Sequence, residues 1–190
     1  MLSPLPELAP LRIWTPGGLP IRTAGPYSGP FGARIRALKY QDCTHHARQL
    51  GIALGSLLER ADDELGLVPI PLHPLKAARR GFNQSALIAK NIPPRHGLQC
   101  RFSILRRIEQ SRSQVELNSR ERRALSHQTF QAYPAPCWAK LRRILLVDDV
   151  VTTGATFDRA SFALRSSGYW VVGGLSVCRS EPNSSIADKE

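Results

Sequence analysis

The segment Ile144-Leu145-Leu146-Val147-Asp148-Asp149-Val150-Val151-Thr152-Thr153-Gly154-Ala155-Thr156 determines how the rest of this 190-residue sequence is interpreted. Its first four residues form a continuous apolar run, which is typical of a parallel β-strand that is covered on both faces. We expect the two acids that follow to mark the end of this strand. Because ligands in such sheets bind at the carboxyl ends of the strands, the acids predict a functional site there.

A helix is predicted to follow directly, from Ala155 to Ser166, because apolar side chains recur there at helical spacing. The first backbone amides of a helix have no partner within the helix, and they lie at the positive end of its dipole. A loop of Thr and Gly before such a helix is therefore suited to receive a phosphate, and Gly154 would let the backbone approach it closely.

The acid pair alone leaves other interpretations open. A buried strand with two solvated aspartates and a Ser/Thr-capped helix explains Asp148 and Asp149 in isolation, and a receiver-type domain also places acids at a strand end, where they hold Mg²⁺. The Thr-rich continuation favours a phosphate site, since a receiver needs no phosphate loop at that point. The pattern G-x-x-x-x-G-K-[ST] does not occur, so a P-loop nucleotide site is not supported.

The thirteen positions from 144 to 156 closely resemble the phosphoribosyl pyrophosphate (PRPP) signature of type I phosphoribosyltransferases: a strand, two acids, then Thr-Thr-Gly-x-Thr. In that family the acids hold the ribose hydroxyls and the loop holds the 5-phosphate. The resemblance implies that Asp148 and Asp149 are the catalytic residues and that Mg²⁺ accompanies the pyrophosphate, with no metal ligand assigned in the protein and no zinc. The implied PRPP-binding set is Asp148, Asp149, Val151, Thr152, Thr153, Gly154, Ala155 and Thr156.

A second strand is predicted from Leu67 to Leu72, where two prolines at alternate positions prevent regular pairing at its end. The residues that follow, His73 to Gly81, are expected to form a basic loop, with a helix through Leu87, Ile88 and Ala89. Both loops follow strands, so the basic loop could face the phosphate loop across the carboxyl ends of the sheet. Its candidate pyrophosphate ligands are Lys76, Arg79 and Arg80.

Further motifs resemble the ComF/GntX family, phosphoribosyltransferase-like proteins linked to DNA uptake in natural competence. They are Pro69-Ile70-Pro71-Leu72-His73, Arg80-Gly81-Phe82-Asn83-Gln84, Leu38-Lys39-Tyr40, Arg106-Arg107 and the stretch from Gln114 to Arg122. The resemblance extends roughly from Tyr27 to Arg179. It implies a role in DNA uptake, with PRPP as ligand and with single-stranded DNA and proteins of the competence machinery as candidate partners.

One departure concerns the start of the chain. Most members of that family begin with a four-cysteine zinc ribbon, whereas residues 1–30 contain no cysteine. We expect either a misplaced gene start or loss of the module, and any contact that the ribbon makes with a partner or with DNA is then in doubt. Residues 1–26 are rich in Pro and Gly and are expected to form an extended or loosely packed segment, with regular structure beginning near Tyr27.

The formal net charge is +11, and most of the basic residues are Arg. The planar guanidinium fork suits phosphate oxygens, so the excess fits a polyanionic ligand such as a pyrophosphate or a nucleic acid, although a solvated basic surface explains it equally well. No apolar run approaches the ~18 residues of a transmembrane helix, and the N-terminus does not read as a secretory signal. We therefore expect a cytoplasmic protein with no membrane insertion.

Cysteine spacing gives no sign of a zinc site or of a disulfide framework, because the four cysteines form no C-x-x-C pair. His45 and His46 lie beside Cys43, but a metal site there lacks a second ligand pair. The cysteines are Cys43, Cys100, Cys137 and Cys178.

The Arg-rich residues from Arg106 to Arg123 are too polar for a core element and are interpreted either as a solvated loop or as a flap over the pyrophosphate or a nucleic acid, with Arg112 as a candidate contact. Helices are also predicted from Phe31 to Tyr40 and from Thr44 to about Arg60. Further strands are predicted from Cys100 to Leu105 and from Tyr169 to Cys178, with a polar tail over residues 181–190.

The alternation of strands, polar loops and helices predicts a doubly wound α/β domain over residues 27–180, with a mostly parallel sheet of the type I phosphoribosyltransferase kind and a hood or flap. Two functions remain. The first is a phosphoribosyltransferase that displaces pyrophosphate from PRPP with a nitrogen nucleophile. The second is a non-catalytic PRPP-sensing or single-stranded DNA-binding protein, for which Phe82, Phe102 and Phe130 lie near Arg-rich stretches, although phenylalanines are more often core residues. The sequence does not predict the acceptor base or the oligomeric state.

Overall fold

A computed structural model describes residues 6–40, 45–58, 65–93, 98–108, 129–134 and 143–181. The helices and strands of these residues, in chain order, are β1 (Leu11–Trp14), β2 (Pro20–Pro26), α1 (Pro30–Tyr40), α2 (His45–Ser56), β3 (Leu65–Pro69), α3 (Pro74–Arg80), α4 (Gln84–Lys90), β4 (Gln99–Cys100), β5 (Leu105–Arg107), β6 (Phe130–Ala132), β7 (Arg143–Val151), α5 (Ala155–Ser166) and β8 (Trp170–Arg179).

Six of the strands form one sheet in the order β1-β2-β8-β7-β3-β4. All neighbours in it are parallel except β1, which runs antiparallel to β2 at the edge. The predicted α/β class with a mostly parallel sheet is confirmed. Among the described residues, no helix is long and apolar enough to span a membrane.

The central strand β7 is covered on both faces, as its apolar run predicts. Leu145 and Val147 pack on the face that carries α1, α2 and α4, hereafter the α2 face. Ile144 and Leu146 pack on the opposite face against Phe157 of α5, hereafter the α5 face. Side chains of successive strand residues point to opposite faces, so a continuous apolar run supplies both cores.

The order of the strands creates a switch point between β3 and β7. From β3 the chain passes through α3 and α4 to β4 at one edge, whereas from β7 it passes through α5 to β8 on the other side. Neighbouring strands whose connections leave in opposite directions open a crevice at their carboxyl ends, where open α/β sheets bind ligands. The two loops singled out in the sequence follow these two strands.

The prediction that regular structure begins near Tyr27 is wrong. β2 lies inside the sheet, between β1 and β8, and its residues Ile21 and Ala24 are fully buried. Pro20 and Pro26 are its first and last residues. These prolines therefore lie at the ends of a strand, and their density does not prevent the segment from packing.

The acids of β7 do not mark the end of the strand. β7 runs on to Val151, because Asp148 pairs with Ser176 and Val150 pairs with Cys178 of β8. The acid side chains therefore project from a paired strand, which holds them more rigidly than a loop would.

Two other boundaries differ from the prediction. β3 is Leu65–Pro69, so the predicted strand began and ended too late, and most of the expected basic loop is the helix α3. Pro74 is the first helical residue and Gly81, with φ +73°, closes the helix, which is the usual placement of these two residue types. The strand expected from Cys100 to Leu105 is divided between β4 in the main sheet and β5 in a separate ribbon.

The predicted helices before and after these regions are confirmed. α5 has the predicted bounds, and the four side chains whose spacing predicted it, Phe157, Ala160, Ser161 and Leu164, are buried. α1 has nearly the predicted bounds, and α2 begins at His45, next to the predicted Thr44, but ends at Ser56, before the predicted Arg60. The register of β7 with β8 shifts between Ile144 and Leu145, which pair with Val171 and Gly173.

β5 and β6 form an antiparallel two-stranded ribbon, in which Leu105 pairs with Ala132 and Arg107 pairs with Phe130. Most of the predicted flap, including Arg112, lies outside the described residues, as do Cys43, Cys137 and the tail from residue 182.

Candidate functional site

The acid pair of β7 is fixed by hydrogen bonds to one oxygen of Asp148. The Ser85 hydroxyl donates to Asp148 Oδ1 at 2.6 Å, and the Asp149 amide donates to the same atom at 2.9 Å. Burial, and next the neighbouring charge of Asp149, raises the pKa of Asp148 to about 8, although both hydrogen bonds oppose the shift. Near neutral pH the pair therefore retains one proton.

Lys39 supplies the counter-ion of the pair. Its ammonium group forms an ion pair with Asp149 Oδ2, and the two side chains are only 17% and 14% exposed. Lys39 lies in the last turn of α1, far from β7 in sequence. One ammonium, one carboxylate and one retained proton make the site close to neutral, which reduces the cost of holding charge away from water.

One arginine, Arg107, interacts electrostatically with Asp148. The pKa of Arg107 is lowered, first by burial and then by the charge of Arg159, while Asp148 acts in the opposite direction. The Arg107 guanidinium stacks over the ring of Phe130 at 5.5 Å from its centroid. The β5–β6 ribbon thus brings one cationic group towards the acid pair, where a phosphorylated ligand needs it.

The phosphate-type loop joins β7 to α5. Thr152 and Thr153 are exposed, and Ala155 and Thr156 are partly exposed, whereas Val151 is buried. Gly154 has φ +83° and provides no side chain to cap α5, and the Ala155 amide donates to the Thr153 hydroxyl at 3.4 Å. A Cβ at Gly154 would lie 2.6 Å from Thr15 Cγ2, so only glycine fits.

The turn between β1 and β2 holds the first turn of α5. The Thr15 hydroxyl and the Gly17 amide both donate to the carboxylate of Asp158, the latter at 2.9 Å. The segment expected to pack loosely is therefore part of what positions the phosphate-type loop. Sequence reasoning missed this contact, since nothing local relates Thr15 to Asp158.

The Arg-Gly-Phe-Asn-Gln motif places Ser85 at the acid pair. Asn83 caps α4 by accepting a hydrogen bond from the Ser85 amide at 3.1 Å, and its side-chain amide donates to the Ile70 carbonyl at 3.0 Å. Asn83 thus ties the start of α4 to the end of β3. Ser85 was not predicted as a site residue, and its signal was its position directly after this motif.

The predicted pyrophosphate ligands lie on α3, which follows β3 at the switch point. Lys76 and Arg79 are exposed there, whereas Arg80 donates to the Gln84 side chain at 3.3 Å. α3 is thus a basic element at the carboxyl end of the sheet.

The described donor side chains limit how a metal ion could be held. Among the described residues, no group of three or more His, Cys, Asp or Glu side chains could hold a metal ion. The carboxyl oxygens of Asp148 and Asp149 are donors that suit Mg²⁺, but Asp149 already pairs with Lys39. The residues therefore fit a Mg²⁺ ion that is held mainly by the oxygens of a ligand.

Cys178 lies on β8 beside the pair. Burial, and next the charge of Asp149, raises the pKa of its thiol to about 12, so the thiol stays neutral and is not a nucleophile at physiological pH.

The fold and the site together define an α/β protein with an acid pair and a phosphate-type loop at the topological switch point of a mostly parallel sheet. Comparison with known proteins adds particular relatives. No family model matches the chain. Competence protein F of Haemophilus influenzae is 30% identical over 102 residues, which are 54% of this chain and 44% of that protein. The match thus covers less than half of the length of competence protein F.

The match to DNA utilization protein YhgH is longer. The Escherichia coli K12 protein is 28% identical over 165 residues, covering 83% of this chain and 70% of the relative, and the Salmonella typhi protein is 28% identical over 161 residues, covering 80% and 69%. These curated relatives support the resemblance to the ComF family. A hypoxanthine phosphoribosyltransferase structure from Staphylococcus aureus covers 79% of this chain and 69% of its own at 18% identity, with a TM-score of 0.38, too low to carry an argument.

Proposed function

We propose that this chain is a phosphoribosyltransferase-like protein that binds PRPP together with Mg²⁺ and acts in the uptake or use of DNA. The observation that carries the proposal is the convergence of two sequence motifs at one switch point, where Ser85 of the β3 side hydrogen-bonds Asp148 of β7. A sugar phosphate needs hydroxyl acceptors next to an anion site, and this crevice provides both.

The proposed binding mode assigns one part of PRPP to each element. The exposed Thr152 and Thr153 and the first amides of α5 bind the 5-phosphate. Asp148 and Asp149 bind the ribose hydroxyls, since a carboxylate accepts hydrogen bonds from a diol. Mg²⁺ and the cations of α3 offset the charge of the pyrophosphate.

In the reaction of the first candidate, a nitrogen nucleophile attacks C1 of the ribose, and the C1–O bond breaks so that pyrophosphate leaves with the electron pair. The transition state resembles an oxocarbenium ion, as in glycoside cleavage. The negative charge shared by Asp148 and Asp149 stabilises the positive charge that develops on the sugar ring.

A second candidate function is PRPP binding without turnover, with the bound ligand regulating a DNA-handling protein. One structural observation favours it: Lys39 already pairs with Asp149, which leaves less negative charge to stabilise an oxocarbenium ion. The names of the relatives, which concern competence and DNA utilization, point in the same direction.

Both candidate functions require PRPP binding, which isothermal titration calorimetry with and without Mg²⁺ tests. Asp149→Asn and Thr153→Val should each weaken PRPP binding about 10- to 100-fold, as expected for hydrogen bonds to charged groups. Glu7→Gln, which alters an exposed carboxylate outside the site, is the matched control and should bind as the wild type does. Unchanged affinity in both site variants would show that the assignment is wrong.

Turnover separates the two candidates. The protein is incubated with PRPP, Mg²⁺ and a panel of purine and pyrimidine bases, and pyrophosphate release is measured. Base-dependent release supports the transferase. Binding without release under any base supports the regulatory candidate.

A further inference from the structure

The amino end of the sheet carries a second basic concavity. A cavity of about 480 Å³ opens on the α2 face and is lined by arginines from three strands, Arg12 of β1, Arg22 of β2 and Arg143 of β7. The other lining residues are aliphatic, proline or glycine, and none of the described lining residues is acidic. The volume lies within the range of small-ligand sites.

Two tryptophans flank this cavity on the same face. Arg143 lies two residues before Leu145, so both side chains point to the α2 face, and Arg143 pairs in register with Trp170 of β8. On the edge strand, Arg12 pairs with Arg22, and Trp14 lies two residues after Arg12. We call Arg12, Trp14, Arg22, Arg143 and Trp170 the Arg–Trp face.

Each tryptophan is exposed and stacked on an arginine. Trp14 is 61% and Trp170 is 65% exposed, which is unusual for the largest apolar side chain. The guanidinium of Arg12 lies 5.0 Å from the Trp14 ring centroid, and that of Arg143 lies 5.5 Å from the Trp170 ring. A guanidinium on one side of an indole fixes its orientation and leaves the other side for a second planar group.

The Arg–Trp face is separate from the acid pair. Arg143 and Trp170 are the first residues of β7 and β8, whereas Asp148 lies five positions further along β7, about 17 Å at the rise of an extended strand. A ligand at the switch point therefore does not cover the tryptophans, and a change at one end need not alter the other.

We infer that the Arg–Trp face binds single-stranded nucleic acid, with backbone phosphates at the arginines and bases stacked on Trp14 and Trp170. Only the link between this surface and DNA handling depends on the proposed function. Proteins that hold single strands combine a basic groove with aromatic platforms, because every base has a face that can stack. Duplex DNA keeps its bases stacked on each other and cannot use such platforms.

The spacing of the platforms favours a strand over a free nucleotide. Trp14 and Trp170 are two strands apart and about three residues apart along the sheet, on the order of 14 Å between backbones. One nucleotide cannot stack on both rings, whereas successive nucleotides of one chain can. The net charge of +11 favours a polyanion over an acidic peptide of lower charge density.

Fluorescence anisotropy with a labelled oligonucleotide of ~15 residues, within the usual range of such sites, tests the inference. The double variant Trp14→Leu with Trp170→Leu should lose at least about 10-fold in affinity, since base–aromatic stacking contributes about 5-fold or more per base and two bases lose it. Arg12→Lys keeps the charge but loses the planar stack and should weaken binding less. Affinity should also fall with added salt.

The matched control is Phe102→Leu, because Phe102 is 51% exposed, follows an arginine and lies outside the Arg–Trp face. It should bind the oligonucleotide as the wild type does. Equal affinity in the double tryptophan variant, an equal loss in Phe102→Leu, or a duplex that binds as well as the single strand would each overturn the inference. PRPP titration of the same variants shows whether they are folded. A wild type that binds PRPP but no oligonucleotide would refute the nucleic-acid inference and leave the proposed PRPP site intact.

Discussion

The two ends of the central sheet hold their polar groups in different ways. At the carboxyl end, Asp148 and Asp149 are partly buried and each is fixed by another side chain, Ser85 for the first and Lys39 for the second. At the amino end, the guanidinium groups of Arg12 and Arg143 stack on exposed tryptophans. A preorganised, nearly neutral site suits one small ligand of fixed shape. An exposed stacking surface suits a flexible chain that adapts its conformation to the surface.

The same comparison explains how a protein with a net charge of +11 keeps an acid pair at its centre. The pair retains a proton and pairs with Lys39, so little negative charge remains to be offset by the basic surface. The arginines of the amino end lie at the opposite end of the same sheet, and Arg143 is the first residue of β7. Each end can therefore be changed separately, and the following predictions use that separation, from the largest expected effect to the smallest.

The largest effect on PRPP binding is expected at Gly154. Gly154→Ala imposes a left-handed conformation on alanine and drives a Cβ to 2.6 Å from Thr15, so the loop must move. We expect a loss of stability of about 2–4 kcal/mol, from 1–3 kcal/mol of backbone strain plus the clash, and loss of measurable PRPP binding. Chemical denaturation and calorimetry measure the two quantities.

Gly18→Ala is the matched control for this change. Gly18 also has a positive φ, +77°, but nothing lies within 4 Å of an added Cβ. This variant should show the backbone strain alone and retain PRPP binding. Equal losses in the two variants would contradict the role assigned to the Thr15 contact.

The next effect concerns the proton on the acid pair. The pKa of Asp148 is raised from 3.8 to about 8 on folding, so the folded state binds more protons than the unfolded state between about pH 4 and pH 8. Stability should therefore fall as pH rises through this window, by at most about 1.4 kcal/mol per pH unit for one proton. Denaturation curves at pH 5, 6, 7 and 8 measure the slope.

Asp148→Asn removes this titration and serves as the comparison variant. Its stability should depend less on pH than that of the wild type over the same window. A wild type whose stability rises from pH 5 to pH 8 would contradict the assignment of the retained proton to Asp148.

The sequence predicts features that depend on neighbouring residues better than features that depend on residues far apart in the chain. The apolar run of β7 and the helical spacing of α5 are local patterns, and they predicted both elements and the loop between them. Lys39 and Ser85 reach the acids through tertiary contacts that no spacing along the chain reveals. The pairing of β2 with β8 is equally remote in sequence, and the prolines at its ends hid it.

A moderate effect is expected from Ser85→Ala, because the change removes one of two donors to Asp148 Oδ1. The lost hydrogen bond stabilised the charged form, so the pKa of Asp148 should rise further. We expect PRPP affinity to fall about 10-fold and stability to fall by about 1–2 kcal/mol.

Ser180→Ala tests whether removal of a hydroxyl alone has this effect, since the one described hydrogen bond of the Ser180 hydroxyl goes to the backbone carbonyl of Glu181. Calorimetry at pH 7 should distinguish the two serine variants. If both bind PRPP as the wild type does, Ser85 does not support the acid pair.

The smallest effect on stability is expected at Trp170, which lies at the amino end of the sheet. Trp170 is 65% exposed and contacts Arg143 by stacking, a contribution of about 0.5–1 kcal/mol at an exposed site. Trp170→Leu should therefore lower stability by about 1 kcal/mol or less and leave PRPP affinity unchanged. The buried Phe157 provides the contrast, because Phe157→Ala removes a fully buried ring and should cost about 3–5 kcal/mol. A loss at Trp170 as large as that at Phe157 would mean that the tryptophan supports the core, and the amino end would then be a structural element with no surplus aromatic surface for a ligand.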